Sequence, residues 1–186
     1  MPTNTIGTDG TITRDARSRY RLRAEDGAHG AFEAETKRAG GSPRAEVEVS
    51  RGAAPDAIAA LLGEGAGADV VVRQRRMYDG ERLVQLANTY IPAFVAEAAP
   101  AVAQLDTGAG GIISRMAEAG LAQTEVVEDV ELVMASEDAA EALGVNLGEP
   151  LLAITHVGRT EDGRVVEVTR HVLGRGWKLR YGVPLD

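Results

Sequence analysis

Val71–Leu86 reads VVRQRRMYDGERLVQL: a run rich in β-branched residues that turns at Asp79-Gly80 into a second strand-like run. Asp-Gly between two such runs signals a hairpin, because the pair tolerates the positive φ angles a tight turn demands. The first run carries Arg73, Arg75 and Arg76, and side chains two residues apart share one face of a strand. Two guanidiniums there raise the question of what they would meet.

The same order of elements occurs twice. Val47-Glu48-Val49, the short helix pattern PDAIAALLG (55–63), VVVRQRRMY, Asp-Gly and ERLVQLANTY find counterparts in Val130-Glu131-Leu132, EDAAEALG, LLAITHVGRT, Asp-Gly and RVVEVTRHV. The Asp-Gly pair moves from 79 to 162 and the Val-Glu pair from 47 to 130, a displacement of 83 in each case. Equal displacement of matching elements indicates a duplicated strand-helix-hairpin unit. Local hairpins predict a mostly antiparallel sheet with helices packed on it, an internally duplicated α+β domain.

Between the repeats and around them, GAFEAETKRAGG (30–41) predicts a helix with a glycine stop, and PRAEVEVSR (43–51) alternates as a half-buried strand. TYIPAFVAEAAP leads from the first hairpin into helix, TGAGGIISRMAEAG (107–120) is a glycine-rich loop feeding a helix, and TEVVEDVELVMAS is a long strand. Residues 1–20, rich in Thr, Gly and Asp, are expected to be a flexible tail or linker, with one domain over 21–186.

If Asp79-Gly80 is a two-residue turn, Arg75 falls opposite Val84, Arg73 opposite Leu86 and Val71 opposite Asn88. The same register at Asp162-Gly163 sets Gly158 opposite Glu167, His156 opposite Thr169 and Ile154 opposite His171. Arg73, Arg75, Asn88, His156, Glu167, Thr169 and His171 then share one face, and Val70, Val72, Ala87, Val157, Val166, Val168 and Val172 fill the other. A bulge in either hairpin would rearrange this assignment. The polar face is either a solvated sheet surface or an anion clamp, in which two forked guanidiniums hold a carboxylate or phosphate and Glu167 orients a hydroxyl or amine.

The glycines of 108–111 offer a second candidate, since amides at a helix start attract anions; an ordinary helix start capped by Thr107 is the alternative. No GxxxxGK[ST] loop, GxSxG or HExxH occurs. Glu125, Asp129 and Glu131 share one face of their strand, which is ordinarily a solvated edge, and no metal or cofactor is expected. With no cysteine, disulfides, thiolate nucleophiles and sulfur-based zinc sites are excluded. A net charge of −8 and a pI near 5.0 speak against duplex DNA or an anionic membrane as a direct partner. Without a signal-peptide pattern or a bilayer-length apolar run, a soluble cytoplasmic protein is expected.

NTYIPAFVAEAAPAVAQLDTGAGGIISRMAEAG, followed by EVVEDVELVMASEDAAEALGVNLGEPLLAITHVGRTEDGRVVEVTRHVL, resembles the effector-binding UTRA domain of GntR-type transcriptional regulators of the HutC subfamily. The shared features are Tyr-Ile-Pro after the first hairpin, the Gly-rich helix start, the ASEDAAEALGV helix, Gly-Glu-Pro before a strand, and DGRVVEV. They run in order over about residues 30–184. The resemblance implies a chorismate-lyase-like fold, a homodimer, and a small anionic effector (phosphosugar, amino acid or other carboxylate) held between sheet and helices by Arg73, Arg75 and Glu167. Gly110, Gly111, Tyr90, His156 and His171 are expected to accompany them. MYDG places one residue more than the commonest pattern between the arginine pair and the turn, which leaves Arg76 as the alternative member. DNA contact is expected only through a winged-helix segment that this sequence lacks. The competing class on the same fold is a chorismate-lyase-like enzyme acting on an aromatic carboxylate, and a pure dimerisation module would have no enclosed pocket.

Overall fold

In the computed structural model, residues 5–7, 9–15 and 27–181 are described. The boundary expected near residue 20 lies outside them. Inside the stretch expected to be a tail, Thr5–Ile6 (β1) and Ile12–Asp15 (β2) are strands, and β2 pairs in parallel with Trp177–Arg180 (β9).

The larger sheet has six antiparallel strands: Pro43–Ala53 (β3), Asp69–Asp79 (β4), Arg82–Pro92 (β5), Glu125–Met134 (β6), Pro150–Arg159 (β7) and Val165–Leu173 (β8). Their spatial order is β3-β4-β5-β8-β7-β6. Each repeat contributes three consecutive neighbours, and the repeats meet at β5–β8, so the order reads alike from either edge. The helices inside the repeats, Asp56–Leu62 (α2) and Glu137–Leu143 (α5), stop at Gly63 and Gly144, both left-handed. Glycine adopts that conformation without a Cβ clash, which is why each helix ends there. Ser136 caps α5 by accepting from the Ala139 amide at 3.3 Å.

The remaining helices lie on the opposite face: Ala31–Arg38 (α1), Ala93–Ala98 (α3), the 3₁₀ turn Pro100–Ala103, and Gly111–Glu118 (α4). Val71, Ile91, Val95, Val102 and Met116 form the core beneath them. Each such side chain removed from water contributes about 1.5–3 kcal/mol. On the other side Ala59 and Leu62 of α2 cover Val70, Val157 and Val168, with Tyr90 packed against that cluster.

The second hairpin keeps the expected register: Gly158 opposite Glu167, His156 opposite Thr169 and Ile154 opposite His171. The first does not. Its turn is Gly80-Glu81, with Asp79 opposite Arg82, and a bulge between Met77 and Tyr78 leaves Val84 as the extra residue. Arg75 therefore faces Ala87 and Arg73 faces Thr89, three positions beyond the expected partners. An odd displacement reverses every side chain of β5. Ala87 and Thr89 accordingly lie beside the arginines, whereas Asn88 pairs with Gln74 and Arg170 and Tyr90 with Val72 and Val168, on the reverse face. The carbonyl of the bulged Val84 accepts from the Trp177 indole at 2.8 Å and from the Gly174 amide at 2.9 Å, which ties β9 to the sheet. A second bulge lies between Gly158 and Arg159. It turns Val166, expected on the reverse face, into the core with Val71 and Ile91.

Candidate functional site

A cavity of about 400 Å³ lies between the sheet and the segments carrying α1 and α4, a size suited to a small metabolite. Strand alternation delivers its floor: Arg73, Arg75 and Met77 from β4, His156 from β7, and Glu167, Thr169 and His171 from β8. Its apolar wall is Ala45 and Val47 of β3 with Phe32, Leu105, Ile112 and Ile113. Glu33 and Asp106 line the same space, and His29 between them approaches Glu33 at 3.2 Å and Asp106 at 3.6 Å.

Of the residues singled out from sequence, Arg73, Arg75, Gly110, Gly111, His156, Glu167 and His171 line this cavity, and Tyr90 does not. Tyr90 belongs to the reverse face because of the bulge in β5. Arg76 also points away, opposite Glu46 and Leu86.

The two arginines have different surroundings. Arg73 is buried and donates Nη1 to the carbonyls of Val102 (2.9 Å) and Gln104, and Nη2 to Leu105 (3.1 Å). Burial lowers its pKa, yet a guanidinium stays charged. It fastens the chain after the 3₁₀ turn to the sheet, so the expected pair of equivalent clamps reduces to a structural Arg73 and a half-buried Arg75. Arg75 donates Nη2 to Thr89, whose hydroxyl shares a hydrogen bond with Thr169 at 2.7 Å.

The glycine amides also differ from expectation. Gly110 donates to the Ala28 carbonyl at 2.7 Å and Gly111 to the Gly108 carbonyl at 3.1 Å, so neither faces the cavity as an anion donor. Thr107 is not the cap either: Gly110 holds that position without a side-chain bond. Gly111, at φ +65°, is required for close approach, because a Cβ would stand 2.7 Å from the His29 carbonyl.

A buried charge relay occupies one end. The Nε2 of His156 stands 3.3 Å from Glu167 Oε1, and its Nδ1 stands 3.4 Å from Glu128 Oε1. Glu128 Oε1 is also 2.5 Å from the buried Arg14. Burial opposes protonation of His156, but the hydrogen bond to Glu128 and the close carboxylate of Glu167 outweigh it and raise its pKa. Burial likewise opposes ionisation of Glu167; His156, the Gln123 amide at 2.8 Å and the charge of Arg75 overcome it, holding the carboxyl below its ordinary value. At the other end His171 Nδ1 shares a 2.9 Å hydrogen bond with Gln85.

Arg14, Gln123, Gln85 and Glu128 went unnoticed in the sequence. Glu128 had a signal: if β6 pairs antiparallel with β7, it falls opposite His156. Arg14 and Gln123 had none, since each approaches from a segment outside the repeats. The acidic row expected on β6 is neutralised at the surface, Glu131 by Arg170 at 2.5 Å and Glu125 by Arg159 at 3.7 Å. Among the described residues no group of three His, Asp or Glu is placed to hold a metal, and no helix is long and apolar enough to cross a membrane.

Comparison with known proteins gives the same architecture a family. The HTH-type transcriptional regulator Rv0792c of Mycobacterium tuberculosis is 29% identical over 134 residues, covering 69% of this chain and 48% of that protein. The chain thus spans about half the length of the curated relative it matches. The effector domain of PhnF from Mycobacterium smegmatis superposes with a TM-score of 0.69 at 20% identity, over 81% of this chain and 93% of that one. A GntR-family transcriptional regulator from Bacillus cereus does so at 0.64 and 17%, over 77% and 99%. Both likenesses are of fold. The sequence profile of the UTRA domain matches residues 38–174, a span that takes in both repeats and most of the residues lining the cavity, and the chain therefore belongs to the UTRA domain family.

Proposed function

We propose that the cavity is the effector site of a sensor domain, and that its guest is a small anion with an apolar part, such as a phosphosugar, an amino acid or another carboxylate. The observation that carries this is the juxtaposition, around about 400 Å³, of Arg75, His156 and His171 with an apolar wall of Val47, Phe32, Ile112 and Ile113. Basic groups on a largely buried floor favour an anionic headgroup, and the wall favours a modest carbon body. Glu167 supports sensing over lyase chemistry: His156, Gln123 and Arg75 hold it ionised, whereas a general acid needs a raised pKa.

By likeness to the relatives, DNA contact belongs to a winged-helix segment outside these residues, and a homodimer transmits the effector's binding energy to it by favouring one of two arrangements. The net charge of −8 fits a chain that leaves DNA to another segment. A thermal-shift screen of phosphosugars, amino acids and aromatic acids tests the reading, because a ligand bound only by the folded state raises its stability. At least one class should raise Tm in the wild type and fail to do so in Arg75→Ala. A shift that survives Arg75→Ala intact would overturn the anion assignment.

A further inference from the structure

We propose that Arg14 is a latch through which the cavity and strand β2 sense one another: its guanidinium and the imidazole of His156 converge on a single oxygen of Glu128, so positive charge gained at the cavity wall loosens the strand. Arg14 Nη2 is 2.5 Å and His156 Nδ1 3.4 Å from Glu128 Oε1, while His156 Nε2 is 3.3 Å from Glu167 Oε1. A neutral imidazole has one N–H and can serve one carboxylate; only the imidazolium serves both. Once it forms, two cations flank one oxygen in a buried setting where solvent and salt screen them little.

Among the described residues, Glu128 from β6 and Glu167 from β8 face His156. Behind them stand Arg14 from β2 at the first and Arg75 from β4 at the second. Tyr181, beyond β9, lies within the field of Glu128 and Arg14, and His171 lines the same floor. Linkage between Arg14 and His156 is reciprocal. Docked Arg14 holds the His156 pKa lower than it would be with β2 released, so protonating His156 weakens the docking of β2 by the same free energy. An anionic effector beside His156 offsets that charge and strengthens the docking; this last step alone rests on the proposed sensing role. Arg14 is thereby a positioning residue, outside the cavity but acting on its wall.

The test uses the full chain without effector. Hydrogen-exchange protection of the β2 amides is compared with that of β5 on either side of the His156 titration, itself followed by imidazole NMR. The wild type should lose about fivefold or more of its β2 protection as His156 protonates, the lower end of ordinary coupling between sites, with β5 unchanged. His156→Gln should remove that dependence. Arg14→Met should raise the His156 midpoint, and Arg14→Lys should leave it near the wild-type value. Should Arg14→Met fail to fold, the His156→Gln comparison decides alone. Protection of β2 that ignores the His156 titration would overturn the latch while leaving the sensing role standing.

Discussion

Two arginines two residues apart have unequal roles, and substitution separates them. Arg73→Ala strips three carbonyls, one of them in a fully buried bond, of a charged donor and should cost about 3 kcal/mol. Arg75→Ala should cost about 1 kcal/mol while losing effector binding; urea denaturation of both variants checks the contrast. Gly158→Ala would place a Cβ 2.6 Å from the Gln123 amide. The flexible Gln123 should swing away and release Glu167, at a cost of about 1 kcal/mol and with an upward move of the Glu167 carboxyl titration in NMR. The relay also sets a pH window. His156 has its folded pKa above the ordinary 6.5, so its contribution is full below that value and lost as pH rises through the folded pKa. Glu167 has its folded pKa below the ordinary 4.5, so its contribution is present above that value and lost as pH falls through the folded pKa. Tm should decline on both sides of mildly acidic pH, and His156→Gln should abolish the alkaline decline.

At the scale of elements, periodicity and punctuation made most of the fold legible. The helices at 31–38, 56–62, 111–118 and 137–143 and the strands of both repeats fall where glycine stops and polar-apolar alternation put them. What stayed hidden was register. Asp79-Gly80 marks the first hairpin, yet nothing local distinguishes a turn centred there from one centred on Gly80-Glu81, or reveals that Val84 bulges. The bulge is specified from a distance, by Trp177 and Gly174 donating to the Val84 carbonyl. The cost of missing it was Asn88 and Ala87 each assigned to the wrong face, whereas the second hairpin, whose register does hold, delivered His156, Glu167, Thr169 and His171 together. The glycine loop was legible as a helix start but not in its purpose, which is close packing on the His29 carbonyl. Gly111→Ala tests that purpose: a strained φ and a backbone collision should cost about 2–4 kcal/mol, read as a lowered denaturation midpoint.

For the molecule as a whole, duplication explains why a cavity exists. Two strand-helix-hairpin units meet edge to edge at β5–β8, and each puts its own helix on the reverse face, leaving the other face to be roofed by the inserted segments that carry α1, α3 and α4. Those segments come from outside the repeats, so the sheet face and the roof helices were readable as elements, while the way the roof closes on the sheet, and with it the approach of Gln123 and Arg14, was not. Arg75 is the residue on which the proposed function turns, because it combines a place on the cavity wall with a guanidinium beside a buried carboxylate. The most direct measurement is a crystal structure of the chain with the compound that most raises its Tm. The expected result is that compound inside the cavity, its anionic group within hydrogen-bonding distance of Arg75 and its carbon body against Val47, Phe32 and Ile112. A compound seated on the outer surface, with the cavity holding only solvent, would contradict it.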